Sequence, residues 1–295
     1  MNETNDVFQQ DLSGEYKRGL VFTIQLLMKE KCSMPAKDTM DAVMKKHLGN
    51  VNNFAYDDKS AGYEAAKYKA VFEEREVPPL LMMTECCEFD PDTIDAFKRS
   101  QLWDCPEHDK ILDECKYQVI ATDMFGAAVE AADRAEMLMD FLEALIELYP
   151  SCEAVYFQNS DKMFTAKAVR ECPMSREDRF VYFAVNVRFF NIQGTEDMLV
   201  DSLGMSVLFM PDVQYHFHGA DPNYVVQHAY TVLSYIFAAN CPIKNGDTID
   251  GLKDGEMSAD VQWKCHFEDS LIQPTRPVID ICMNEFASGD RDYKK

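Results

Sequence analysis

Apolar positions along the chain follow two periods, one near 2 and one near 3.6, and the switches between them outline the elements. Residues 20–28 (LVFTIQLLM) are apolar and partly β-branched, bounded by Gly19 and by Lys29, Glu30 and Lys31, and predict a buried strand. After Pro35, residues 37–48 predict a short helix stopped by Gly49. The stretch 53–83, broken by Pro78 and Pro79, predicts two extended strands. Short helices are expected over 93–113, around Trp103 and Asp104, and then a strand over 117–125. The clearest helical period covers 133–149. Leu138, Phe141, Leu142, Leu145 and Tyr149 share one side, and Glu136, Asp140, Glu143 and Glu147 line the other. Pro150 ends that helix and 154–158 resumes as a strand, an order compatible with a crossover onto one sheet.

In the second half, 180–190 (FVYFAVNVRFF) is almost continuously apolar apart from Arg188 and predicts a central strand covered on both faces. Residues 203–210 and 213–217 read as extended segments separated at Pro211. A helix with a well-marked start follows: Asp221 as cap, Pro222 in the first turn, and Val225, Val226, Ala229, Tyr230, Val232, Leu233, Ile236 and Phe237 on one side. Strands are expected at 261–267 and 277–283, and the GDTIDG segment with Asp247 and Asp250 reads as a turn. The pattern specifies an α+β protein: mixed, largely antiparallel sheets with helices packed on one side. The strand-helix-strand order recurs loosely in both halves, which hints at duplication without a repeat in residue identity. The expected organisation is a disordered tail at 1–15, an N-terminal region at 16–175 and a C-terminal region at 176–295, with one compact unit of both regions as the alternative.

Charge narrows the range of partners. Against 29 basic side chains stand 51 acidic ones, a net charge of -22, so the mean surface field repels phosphate backbones and anionic headgroups. Nucleic acid and membrane are therefore excluded as expected partners, and a basic protein, or no macromolecular partner at all, fits better. With 47% hydrophobic residues the chain carries enough apolar surface to fold. No apolar run approaches the roughly 20 residues of a membrane span, and the opening is polar and acidic where a secretory signal is basic and then apolar. A cytoplasmic location with reduced thiols is expected for the 10 cysteines, and the adjacent Cys86 and Cys87 are read as facing opposite ways.

The densest candidate chemistry is Asp212, His216, His218, Asp221 and His228. Residues two apart on a strand share a face, so His216 and His218 can present two imidazoles together. Asp212 or His228 could then complete a site for a divalent transition metal, the centre of a metal-dependent hydrolase. The competing reading has the same histidines packed at a sheet edge with satisfied ring nitrogens. Arg188 and Arg276 stand in apolar settings, where each guanidinium needs a carboxylate partner or else grips an anionic ligand. Cys105 lies among carboxylates, which oppose the thiolate it would need to act as a nucleophile with His108; a turn with a packed Trp103 indole is the plainer reading. Cys172 and Cys265 lack zinc-finger spacing, and no glycine-rich phosphate loop occurs. Whether the chain is an enzyme stays open at this point. The absence of a catalytic signature favours an interaction protein of regulatory or immunity type.

From Gly204 the chain reads GMSVLFMPDVQYHFHGADPNYVVQHAYTVLSYIF, followed by Gly246, Asp247, Thr248 and Ile249, then VQWKCHFEDSLI and RPVIDICMNEF. Over 204–286 this order resembles the bacterial family called domain of unknown function 4261. The resemblance implies an intracellular bacterial protein and assigns no activity, cofactor or catalytic residue.

Overall fold

The computed structural model describes residues 7–8, 21–172 and 178–289, so most of the tail expected at 1–15 lies outside the described residues. The fold is α+β, with mostly antiparallel sheets. The chain divides into two compact units: one runs to Asn186 and includes Val207–Phe209, and the other takes Val187–Ser206 and the chain from Met210 onward.

The first unit contains β1 (Thr23–Met28), α1 (Lys37–Leu48), β2 (Asn52–Tyr56), β3 (Ser60–Glu64), β4 (Ala70–Val71), β5 (Glu76–Val77), β6 (Leu80–Thr84) and β7 (Cys87–Glu88). It continues with α2 (Ala96–Arg99), α3 (His108–Glu114), β8 (Tyr117–Met124), α4 (Ala131–Leu148), β9 (Ala154–Phe157), β10 (Lys162–Thr165), α5 (Ala166–Arg170) and α6 (Arg179–Ala184). Its main sheet has the order β10-β9-β1-β8-β6-β3-β2, with β7 on β8, while β4 and β5 form a separate hairpin. Strand β1 pairs antiparallel with both β8 and β9, so the two strands joined through α4 run parallel with β1 inserted between them.

Register and alternation define the faces. Leu26 pairs with Val155 and Val155 with Phe164. On this side Phe164 meets Phe183 of α6 at 5.0 Å, and Tyr63 donates to Asp41 of α1. Helix α4 lies on the same side, where Arg134 binds Asp123. The opposite side carries Leu27, Tyr156 and Met163, packed with Ile94, Leu102, Ile111 and Leu112. Helices thus cover both faces of the central strands rather than one, because β1 and β9 are buried on both sides and water must be excluded from each.

Within α4 the expected apolar side is buried, but so are Arg134 and Asp140 on its other flank. Asp140 is not solvated: Arg179 reaches it at 3.1 Å. The 53–83 segment forms β2, β3, the β4–β5 hairpin and β6 rather than two strands. Leu142, in the middle of α4 and 1% exposed, represents the core; its truncation to alanine removes about 2–5 kcal/mol on general grounds.

The second unit contains β11 (Asn186–Asn191), β12 (Met198–Leu203), β13 (Asp212–Phe217), α7 (Pro222–Ala238), β14 (Thr248–Lys253), β15 (Glu256–Asp269) and β16 (Pro277–Cys282), in the sheet order β11-β12-β13-β16-β15-β14. Strands β13 and β16 are parallel. Helix α7 starts at Asp221, whose side chain accepts from the Asn223 amide, and packs on β12, β13 and β14.

Three expectations change here. The run 180–190 is not one strand but α6 followed by β11, since an unbroken apolar run satisfies a buried helix and a buried strand equally. The 203–210 segment is the end of β12 followed by a 3₁₀ turn at Met205–Leu208. Asp250 lies within β14, paired with Gln262, rather than in a turn. Among the described residues no helix is long and apolar enough to cross a membrane.

Candidate functional site

The sheet of the second unit has two unlike faces. Alternation along β13 sends Val213, Tyr215 and Phe217 to one side and Asp212, Gln214 and His216 to the other. Helix α7 covers the first side. There His228, 1% exposed, meets the Tyr215 hydroxyl at 2.8 Å through Nδ1 and the Asp250 carbonyl at 2.8 Å through Nε2, with its ring 4.8 Å from that of Trp263. A carbonyl can only accept, so Nε2 carries the proton and Nδ1 accepts from Tyr215. Burial holds the His228 imidazole below its ordinary range, against the smaller upward pull of Asp250.

A folded-state value below the unfolded one means that the unfolded chain binds more protons beneath about pH 6.5, the ordinary histidine value. The His228 contribution is therefore present above that pH and lost as the pH falls toward the lowered folded value. Urea midpoints measured between pH 7 and 5 should fall, and His228→Gln should flatten that slope. An unchanged slope would remove His228 from the account.

On the reverse face Arg188 holds Asp201 with two parallel bonds, Nε to Oδ1 at 2.8 Å and Nη2 to Oδ2 at 2.6 Å. Arg276 reaches Asp201 at 2.7 Å and Asp212 at 3.1 Å. Its remaining donors are taken by the Ser202, Ile272 and Pro274 carbonyls and the Ser270 hydroxyl, and the last Arg188 donor nitrogen by the Gln273 carbonyl. All four charged side chains are at most 1% exposed. Burial pushes the Asp201 carboxyl upward, yet Arg188 and Arg276 together hold it below the carboxylate range; Asp212, with one arginine, stays above.

Two arginines and two aspartates cancel, and every nitrogen of both guanidinium groups bonds a protein group. Arg188 and Arg276 are both held in ion pairs, one of the two arrangements expected for them. The array is an internal scaffold whose neutrality makes its burial tolerable. Beside it, Gln214 donates to Asp280 at 3.0 Å and Glu268 at 3.2 Å and accepts from the Leu271 amide.

The expected metal constellation is not assembled. Asp212 is engaged by Arg276, Ser202 and the Met205 amide, and His228 lies under α7 on the other side of the sheet. His216 and His218 gather instead near Asp197: His216 Nε2 lies 3.4 Å from Asp197 Oδ2, and Ser288 bridges His218 at 3.0 Å to Asp197 Oδ1 at 2.8 Å. Among the described residues no group of three or more His, Cys, Asp or Glu side chains is placed to hold a metal ion. Asp221 acts as the helix cap.

Cys105 is fully buried in the first unit, its thiol pushed up to about 12 by burial and then by Glu107, while His108 binds the Cys105 carbonyl. A nucleophilic Cys105 is unsupported. Trp103 is half exposed rather than packed, because the neighbouring Leu102 takes the core position.

Residues 201–282 match the family model Domain of unknown function (DUF4261). The DUF4261 match holds Asp201, Asp212 and Arg276 of the ionic scaffold together with Tyr215, His228 and Trp263, while Arg188, Asp197 and Ser288 lie outside it. No curated protein and no solved structure matches the chain.

Two surfaces of the first unit were not singled out by sequence. A cavity of about 770 Å³ is bordered by α1 and α4, but most of its polar groups are already engaged: Lys46 and His47 with Glu147, Arg179 with Asp140 and Glu143, and Arg170 with the Pro150 carbonyl. The other surface is aromatic. The β4–β5 hairpin lies against the turn that follows β8, and there Phe72 and Phe125, 41% and 43% exposed, meet edge to face at 5.9 Å. Phe125 adopts φ 64°, a left-handed backbone that costs a non-glycine residue on the order of 1–2 kcal/mol. Val71 and Met124 extend the exposed apolar area. Of the four charged residues Glu73, Glu74, Arg75 and Glu76 in the hairpin, three are acidic.

Proposed function

We propose that this protein is an interaction factor that docks through the β4–β5 hairpin onto a basic protein partner. The observation that carries this reading is the exposed pair formed by Phe72 of a negatively charged hairpin and Phe125 of the turn after β8. Two large rings keep a wide share of their surface in water, and one of them sits on a costly backbone; such strain is characteristic of surfaces used for recognition. Aromatic side chains are enriched at the centres of protein interfaces, and truncating a central anchor typically removes 2 kcal/mol or more of binding, roughly 30-fold. The chain's net charge of -22 favours a basic surface opposite, with fast, salt-sensitive association.

The test places a photo-crosslinking amino acid at position 72 and, as a control, at the exposed Tyr235 of the other unit. The supporting result is one identified basic protein joined at position 72 and not at 235. Its binding, measured with purified components, should weaken in raised salt and fall by at least about 10-fold in Phe72→Ser. Phe125→Asn, which tolerates the left-handed backbone while removing the ring, should act in the same direction. Self-adducts, an acidic partner, or binding indifferent to both variants would sink the reading.

A further inference from the structure

The loop leaving β1 gathers sulfur. Met28 ends the strand fully buried, and Cys32 returns so that its Sγ lies 3.3 Å from Met28 Sδ. Cys86, between β6 and β7 and 54 residues away, accepts from the Cys32 amide through Sγ at 3.4 Å. Further along the loop, Met34 Sδ accepts from the Tyr149 hydroxyl at 3.5 Å. Cys32, Met34 and Cys86 border a cavity of about 670 Å³ whose wall also carries Asp57, Asp58 and Glu85. From this geometry we propose that Met28, Cys32 and Cys86 form a binding site for a soft monovalent metal ion of the Cu(I) class.

Ligand chemistry selects that class. Thiolates and thioethers are soft, polarizable donors that favour Cu(I), whereas a structural zinc ion takes four nitrogen or thiolate ligands. Here two thiols and a thioether meet with no imidazole recorded in the group, which suits an ion content with few ligands. Half-buried Cys32 and buried Cys86 both border the cavity, giving an entry path, and the acidic wall raises the local cation concentration. Asp57 is kept ionised by backbone bonds from Lys59 and Ser60 that hold its carboxyl below the usual range.

The charge and proton balance are simple. One Cu(I) enters, two thiol protons leave, and the site gains a net single negative charge while the thioether stays neutral; Lys31, on the same cavity wall, lies nearby to compensate. Burial and then Cys86 push the Cys32 thiol up to about 12, so Cys32 is a thiol in the free site and a poor partner for disulfide exchange. A bound metal deprotonates coordinating thiols itself, so the same thiols remain competent as ligands.

Reduced full-length protein should be titrated anaerobically with Cu(I) against a chromogenic Cu(I) chelator. One ion per chain should be retained, with an ultraviolet thiolate-to-metal band. Cys32→Ser and Cys86→Ser should each weaken binding by more than the roughly 10–100-fold typical of losing an outer-shell partner, and Cys87→Ser should leave it unchanged. Two measurements on the unaltered protein stand apart from how the variants fold. X-ray absorption of the complex should show a sulfur-only shell, and Cu(I) should protect Cys32 and Cys86, but not Cys172, from alkylation. Failure to hold an ion against the chelator, nitrogen or oxygen in the shell, or protection at other cysteines would overturn the site.

Discussion

Replacing Arg276 with methionine is expected to lower the unfolding free energy of the second unit by about 3–5 kcal/mol, the range for breaking a buried ion pair by removing one partner. Against a typical total of roughly 5–15 kcal/mol, such a loss leaves the unit marginal. Asp201 keeps its two bonds to Arg188, but Asp212 retains only Ser202 and the Met205 amide, and the loop carbonyls of Ile272 and Pro274 are left to share the single Ser270 hydroxyl. Arg276→Lys should rescue little, since one ammonium cannot span two carboxylates and a loop at once. Arg276→Met combined with Asp212→Asn should recover part of the loss, because it removes the uncompensated charge as well. Trp263 is buried in this unit and the chain has only 2 tryptophans, so urea unfolding followed by fluorescence in a Trp103→Phe background reports on it selectively. A loss under about 1 kcal/mol, the level of an exposed pair, would show that the scaffold is dispensable.

Gly126→Ala is expected to destabilise the first unit by a similar amount, about 3–5 kcal/mol, through one methyl group. A Cβ built at Gly126 falls 1.8 Å from Asp123 Oδ2 and 2.9 Å from Arg134 Nε. Both partners are essentially unexposed, and Asp123 also accepts from the Phe22 amide at 2.6 Å. The methyl must push a buried carboxylate off its guanidinium, and Arg134 is further fixed by the Val207 carbonyl. Gly126 is therefore required by close approach. Thermal unfolding by circular dichroism measures the effect, and a double-mutant cycle identifies its cause. In an Asp123→Ala background the pair is already lost, so adding the methyl should cost little. Equal losses in both backgrounds would refute the clash. Because Gly126 follows Phe125, the same substitution should also disturb the proposed docking surface, whereas Phe125→Asn should alter binding with little change in stability.

Elements governed by local spacing were legible in the sequence. Helix α1 begins and ends at the expected residues, α7 starts behind its Asp221–Pro222 signal, and β16 follows its apolar run, since caps, prolines and a 3.6 or 2 period act within a few neighbouring residues. The α+β class followed from the same periods. Partner choice was not legible. Arg276 meets Asp212 and Asp201 from 64 and 75 residues away, and Cys32 meets Cys86 from 54. Nothing in the residue string distinguishes those carboxylates or thiols from the many others.

The order β11-β12-β13-β16 brings the arginines to their aspartates. The side of the sheet on which α7 lies assigns His228 to Tyr215 and parts it from His216 and His218, which lie near Asp197 and Ser288. The physical reason is that alternation along one strand fixes which side chains share a face, but not what arrives to cover that face. Which charges are neutralised, which rings stay wet and which sulfurs meet are settled only when distant strands find their neighbours and burial makes an unpaired group too costly.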